Sequence, residues 1–321
     1  MTMKDSRVSI KTLLASSPII LGEGAVIERL RRSAGVPLDP QVVNSAFIYT
    51  DQGRIALESI CRQYIDIGCS HALPMLISTP TWRASRERIA AAGFAGRDLN
   101  GDNFRFLNGI RQSYGDYAGK VAICGLMSCR GDAYRPDEAL AVGEAREFHS
   151  WQAGMLAASG VDFLLASTLP AITEATGLAH AMAETGCQYV VSFVVRPEGT
   201  LLDGTPLKEA IAAIDELVSP PPVAYLVNCT HASVFRRSLL HESNSSQLVR
   251  ERVAGLLANT APLSPEELDN SSELIEEEPD RFGSSVAALY TELGMRILGG
   301  CCGTDDRHIS SLADELVRRS G

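Results

Sequence analysis

The sequence has no excess of positive charge. Its 29 Lys and Arg residues are outnumbered by 39 Asp and Glu, for a formal charge of −10. A phosphate backbone or an anionic membrane surface needs clustered cations, so nucleic acid and lipid are poor candidates for partners. No apolar run approaches the roughly 20 residues of a membrane span. The N-terminal stretch from Met1 to Ile20 is interrupted by Lys4, Asp5, Arg7 and Lys11, which argues against a secretory signal. A disulfide framework is equally absent. Eight cysteines are spread over a long chain, two of them adjacent, which suits a reducing compartment and a cytoplasmic protein.

The chain also lacks a Pro/Gly/Ser-rich linker, which argues for one domain spanning residues 1–321. Short runs of Val, Ile and Leu alternate with longer amphipathic stretches, the pattern of a parallel sheet with crossover helices. Eight strands are expected: Pro18–Leu21, Leu73–Ile77, Val121–Leu126, Asp162–Ala166, Tyr189–Val194, Val223–Val227, Val253–Ala258 and Met295–Leu298. Helices are expected over Pro136–Ala158, Ile172–Glu184, Leu207–Val218 and Asp305–Arg319, the last capped by Thr304 or Asp305. Eight βα units close best as an α/β (β/α)8 TIM barrel, with an open doubly wound sheet as the alternative.

In a barrel the chemistry sits where strands run into the loops that follow them. The sixth expected strand runs into Asn228-Cys229-Thr230-His231, and the eighth into Gly299-Gly300-Cys301-Cys302-Gly303-Thr304. Three thiolates suit zinc, which takes four ligands and in catalytic sites keeps one position open. Adjacent side chains on a strand point to opposite faces. Cys301 and Cys302 can share one ion only where the backbone leaves strand geometry, and Gly299, Gly300 and Gly303 are expected to allow this. The alternatives for the pair are plain packing, a vicinal disulfide or a redox switch; a third cysteine at another strand end favours metal. His231 is either a fourth ligand or a loop residue.

Cys61, Cys69, Cys124, Cys129 and Cys187 are read as inert residues within helices or strands, and His149 as a packing residue. Gly22-Glu23-Gly24 is a weak match to a dinucleotide loop, since Ile27 stands where a third glycine would be needed. It reads better as a tight turn that brings the Glu23 carboxylate to the barrel mouth, where it could hold a substrate ammonium group. Ser264–Asp280 carries eight carboxylates and no cation, and reads as a solvated acidic excursion.

Asn228-Cys229-Thr230 with Gly299 to Thr304 resembles the zinc motif of the homocysteine S-methyltransferase family, and the resemblance spans nearly the whole chain. Gly22-Glu-Gly-Ala25, Ser78-Thr-Pro-Thr-Trp-Arg-Ala-Ser85 and Asp203-Gly-Thr-Pro-Leu207 are similar to further family segments. The resemblance implies a TIM barrel and methyl transfer from a small donor to the thiol of homocysteine, giving methionine. It implies Zn2+ as cofactor, held by Cys229, Cys301 and Cys302 as metal ligands and catalytic residues. It also implies substrate contacts from Glu23, Gly24, Thr79, Trp82, Ser167 and Asn228. Two departures stand out: Ser167 occupies the place of a family Glu that contacts the homocysteine amino group, and Glu23 replaces the usual Asp. Trp82 could face a cationic methyl donor. The expected partners are a small thiol acceptor and a methyl donor. Donor identity and assembly as a homo-oligomer stay open, and a barrel that binds a thiol without methyl transfer is the alternative function.

Overall fold

Eight short strands pair in parallel, each with its neighbour in sequence, and the last returns to the first to close a barrel. They are β1 (Ile20–Gly22), β2 (Met75–Ser78), β3 (Val121–Met127), β4 (Phe163–Leu169), β5 (Tyr189–Phe193), β6 (Ala224–His231), β7 (Val253–Asn259) and β8 (Ile297–Gly300). The computed structural model describes residues 7–33, 35, 37–262 and 277–320. Most of the acidic stretch expected over Ser264–Asp280 lies outside the described residues.

The alternation of side chains along each strand divides the core in two. Ile20, Leu76, Cys124, Phe163, Leu165, Val190, Leu226 and Ile297 fill the barrel interior. Their neighbours Leu21, Ile77, Ile123, Leu164, Val191, Val227 and Leu298 point outward into the layer beneath the helices. Both faces of each strand are thus buried, which is why the strands read as continuous apolar runs. Each fully buried Leu or Ile contributes about 1.5–3 kcal/mol. The N-terminal helix Ile10–Ser16 adds Ile10 and Leu13 to the interior cluster.

Helix boundaries follow local chemistry. The side chain of Thr50 caps Asp51–Ser70 by accepting from Gly53 N at 3.2 Å. Asp305 Oδ1 accepts from Arg307 N and His308 N at the start of Asp306–Ser320, whose Ile309, Leu312, Ala313 and Leu316 are buried at helical spacing. The helix expected over Pro136–Ala158 is instead two pieces, a 3-10 turn at Pro136–Glu138 and a helix at Val142–Ser159. The buried Glu174 carboxylate accepts Leu140 N at 3.2 Å, holding the chain between them in an extended form. Cys129 and Cys187 sit in loops, not in the regular elements expected for them.

Candidate functional site

Extending the inward register of the strands places Ser78, Ser167 and Asn228 toward the mouth, above Leu76, Leu165 and Leu226. By the same register Cys229 should point outward. It does not, because its backbone is left-handed (φ 50°) and the β6–β7 register shifts between Asn228 and Thr230. Thr168 is the counterpart on β4, with φ 60° and a shift between Ala166 and Leu169. Such bulges re-aim side chains, and left-handed backbone at these residues costs about 1–3 kcal/mol each.

Asn228 offsets that strain. Its Oδ1 accepts from Thr168 N at 2.9 Å and from Ser192 Oγ at 2.6 Å. Its Nδ2 donates to Thr168 Oγ1 at 2.6 Å and to Cys229 Sγ at 3.4 Å. One buried amide, with every hydrogen-bonding position used, ties β4, β5 and β6 together beneath the cysteine.

Cys301 and Cys302 follow β8. Gly299 and Gly300 lie inside that strand, contrary to the expectation that they loosen it. What Gly299 provides is closeness, since a Cβ there would meet Gly22 Cα of β1 at 2.6 Å. The turn itself falls at Gly303, whose φ is 82°. The loop is pinned by Cys301 N to Ala258 O at 2.7 Å, Cys302 N to Asn259 Oδ1 at 3.0 Å and Gly303 N to Glu28 Oε2 at 2.6 Å. As a result the Sγ atoms of Cys229, Cys301 and Cys302 all lie within 4.8 Å of one another. Hydrogen bonds from Cys301 and Cys302 hold the Cys229 thiol well below its usual pKa, while sharing with Cys229 drives Cys302 up. One thiolate between two thiols is a donor set in which a soft dication can replace the protons.

The sulfurs open onto a cavity of about 960 Å3 at the barrel mouth, which Glu23, Gly24, Thr79, Trp82, Ser167, Asn228 and the three cysteines all line. Glu23 is buried and accepts Ser78 N through Oε1 at 2.8 Å, while among the described residues its Oε2 has no partner. Burial pushes its carboxyl up to about 8. Gly24 leaves room for Tyr64 and Thr304, either of which a Cβ would strike. Thr79 Oγ1 accepts Leu126 N at 3.0 Å and Ser167 Oγ lies 3.2 Å from Thr168 Oγ1. One face of the Trp82 ring carries the Arg83 guanidinium at 4.3 Å. His231 is outside the sulfur group: its Nδ1 accepts Ser233 N and its Nε2 faces Glu277 at 3.5 Å.

Tyr134 escaped the sequence reading. It packs on the sulfur cluster from the loop after β3, and its hydroxyl bonds to Cys229, whose negative charge raises its pKa. Glu174, on the helix after β4, clamps that loop. Its carboxylate accepts Arg130 N at 2.6 Å and Leu140 N at 3.2 Å and is held by His149 Nε2 at 2.9 Å. No short-range pattern announces either residue, because the contacts join separate βα units.

The family model for homocysteine S-methyltransferase matches residues 20–316. Homocysteine S-methyltransferase YbgG of Bacillus subtilis is 23% identical over 322 residues, covering 95% of this chain and 96% of its own. Betaine–homocysteine S-methyltransferase 1 of Bos taurus is 23% identical, covering 99% of this chain and 77% of its own. The metallated form of the homocysteine methyltransferase MmuM from Escherichia coli superposes with a TM-score of 0.73 at 21% identity, over 96% of this chain and 98% of that one. That likeness bears on the fold; the match of the family model over most of the length bears on descent. The chain belongs to the homocysteine S-methyltransferase family, and it is a methyltransferase.

Proposed function

We propose that the protein is a zinc-dependent S-methyltransferase that moves a methyl group from a small donor to the thiol of homocysteine or a related aminothiol. The observation that carries this reading is the group of three Sγ atoms, within 4.8 Å of one another, at the wall of an open cavity. The residues fit the metal. Cys229, Cys301 and Cys302 would hold it, three cysteine sulfurs being the donor type that zinc prefers. When bound, zinc would supply the Lewis acidity that keeps an incoming thiol deprotonated near neutral pH.

The remaining work falls to the chain itself. Glu23 offers the unpartnered Oε2 to the substrate ammonium group, and meeting that cation draws its carboxyl back toward the ionised form. Asn228 and Thr168 hold Cys229 in place. Tyr134 covers the sulfurs and limits access of water. In the transfer the acceptor sulfur forms a bond to the methyl carbon as the bond from that carbon to the donor heteroatom breaks. The bonding pair leaves with the heteroatom, which loses its positive charge, and the thiol proton passes to solvent.

The reading is tested with reduced, zinc-supplemented protein, homocysteine, and either S-methylmethionine or betaine, following methionine by mass spectrometry. Methionine formed from at least one donor is expected. A second reading, thiol binding without transfer, is motivated by Ser167, a neutral hydroxyl engaged with Thr168. It would be favoured by calorimetric binding of homocysteine with no methionine from any donor.

A further inference from the structure

The three cysteine sulfurs line the cavity in which a methyl group is to be transferred, and each is a nucleophile in its own right. Methylating one of them would leave a neutral thioether, a weak hydrogen-bond acceptor, where the site needs a thiolate. The structure treats the three unequally. Asn228 Nδ2 donates to Cys229 Sγ at 3.4 Å, Thr168 Oγ1 stands 3.9 Å from it, and the Tyr134 hydroxyl bonds to it from the loop after β3. The amide is fixed in this orientation, because Asn228 Oδ1 already accepts from Thr168 N and Ser192 Oγ, and a flip would set donors against donors. Thr168 Oγ1 accepts from Asn228 Nδ2 at 2.6 Å, which leaves its own proton for Cys229 or Ser167.

Cys301 and Cys302 have no such shell. Both are half-buried, whereas Cys229 is 9% exposed. Among the described residues no side-chain amide or hydroxyl donates to either sulfur, and Cys301 Sγ is paired with Cys229 Sγ at 2.6 Å.

A hydrogen bond to a thiolate is strongest while the sulfur keeps its charge. When Cys229 Sγ forms a bond to a methyl carbon, the bond from that carbon to its leaving group breaks and the pair departs with the leaving group. The sulfur charge disappears, and Asn228 and Tyr134 are left facing a thioether in a buried place. Interactions stronger in the ground state than in the transition state slow a step, and stranding buried donors slows it further.

We propose that Asn228, Tyr134 and Thr168 guard Cys229 against methylation, so that the methyl group goes to the acceptor sulfur and stray methylation falls on Cys301 or Cys302. The need for such a guard rests on the methyl-transfer reading above.

The test alkylates reduced protein with iodomethane, a methyl electrophile that needs no donor pocket, both with zinc bound and after removal of metal. Early samples are digested, and S-methylcysteine at each position is read by mass spectrometry. In the zinc-loaded wild type Cys301 and Cys302 should be methylated ahead of Cys229. Tyr134→Phe keeps the ring and loses the hydroxyl. It should speed methylation of Cys229 by about tenfold or more in both preparations, with Cys301 and Cys302 within about threefold of the wild type. Thr168→Val should act in the same direction but less. Cys124, fully buried in the barrel interior, reports opening of the fold and should stay unmodified. Unchanged Cys229 methylation in Tyr134→Phe would overturn the proposal. So would equal gains at Cys229 and Cys124, or a zinc-loaded wild type methylated first at Cys229. Iodomethane reads the guard without turnover, which separates the two claims. Tyr134-dependent protection in a protein that forms no methionine would sink methyl transfer and leave the guard standing. Methionine formation with Cys229 alkylated alike in wild type and Tyr134→Phe would do the reverse.

Discussion

Replacing Glu23 by Gln should make the protein more stable relative to the wild type as pH rises. The Glu23 carboxyl goes from 4.5 in the unfolded chain to about 8 in the folded protein, with burial as the first cause, against which the Ser78 hydrogen bonds pull. A raised folded pKa means that the native state keeps a proton the unfolded chain releases. Its contribution is therefore complete below about pH 4.5 and is lost as pH rises toward 8. At 1.36 kcal/mol per unit, the wild type should lose about 3.5 kcal/mol between about pH 5 and about pH 8. Glutamine cannot ionise and keeps an oxygen for Ser78 N, so Glu23→Gln lacks this loss. Urea unfolding of both proteins at the two pH values, in metal-free buffer, reads the difference directly. A gap between the two proteins that stays constant across this range would refute the reasoning, because it would mean that Glu23 is hydrated and ionised in the native state.

Asn228→Ala removes four hydrogen bonds at once and leaves Thr168 N and Ser192 Oγ buried without a partner. It should cost about 2–4 kcal/mol in thermal or chemical unfolding and weaken retention of zinc against a chelator. Glu174→Ala frees Arg130 N and Leu140 N, and should accelerate tryptic cleavage at Arg130 or Arg135 by about tenfold or more while the barrel remains folded. Arg111→Ala separates a buried pair, Arg111 to Asp162 at 2.5 Å, below the site. Its cost should be about 3–5 kcal/mol of stability, with KM for both substrates unchanged in the folded fraction.

The barrel was legible because strands buried on both faces carry no polar interruption; Val121–Met127 and Tyr189–Phe193 differ from expectation by a residue at one end. The ends that slipped have local causes. β1 and β8 were ended one and two residues early, since Gly22, Gly299 and Gly300 read as breakers, whereas the small size of Gly22 and Gly299 is what lets these two strands approach. The helix drawn from Pro136 ignored a contact with Glu174 that lies 34 residues beyond Leu140. The three cysteines were legible because their types and strand-end positions speak for themselves. Their backbone was not: the left-handed turns at Thr168 and Cys229 are stabilised by an amide on another strand, and propensity alone disfavours a β-branched residue there. Tyr134 and Arg83 reach the site from two loops that only the closed barrel brings together.

The most direct test of the central claim is the zinc content of protein purified under reducing conditions, measured with methyl transfer in the same samples. One zinc per chain is expected, lost together with transfer in each of Cys229→Ser, Cys301→Ser and Cys302→Ser. Full zinc content in these variants, or transfer that persists in protein stripped of metal, would contradict the account.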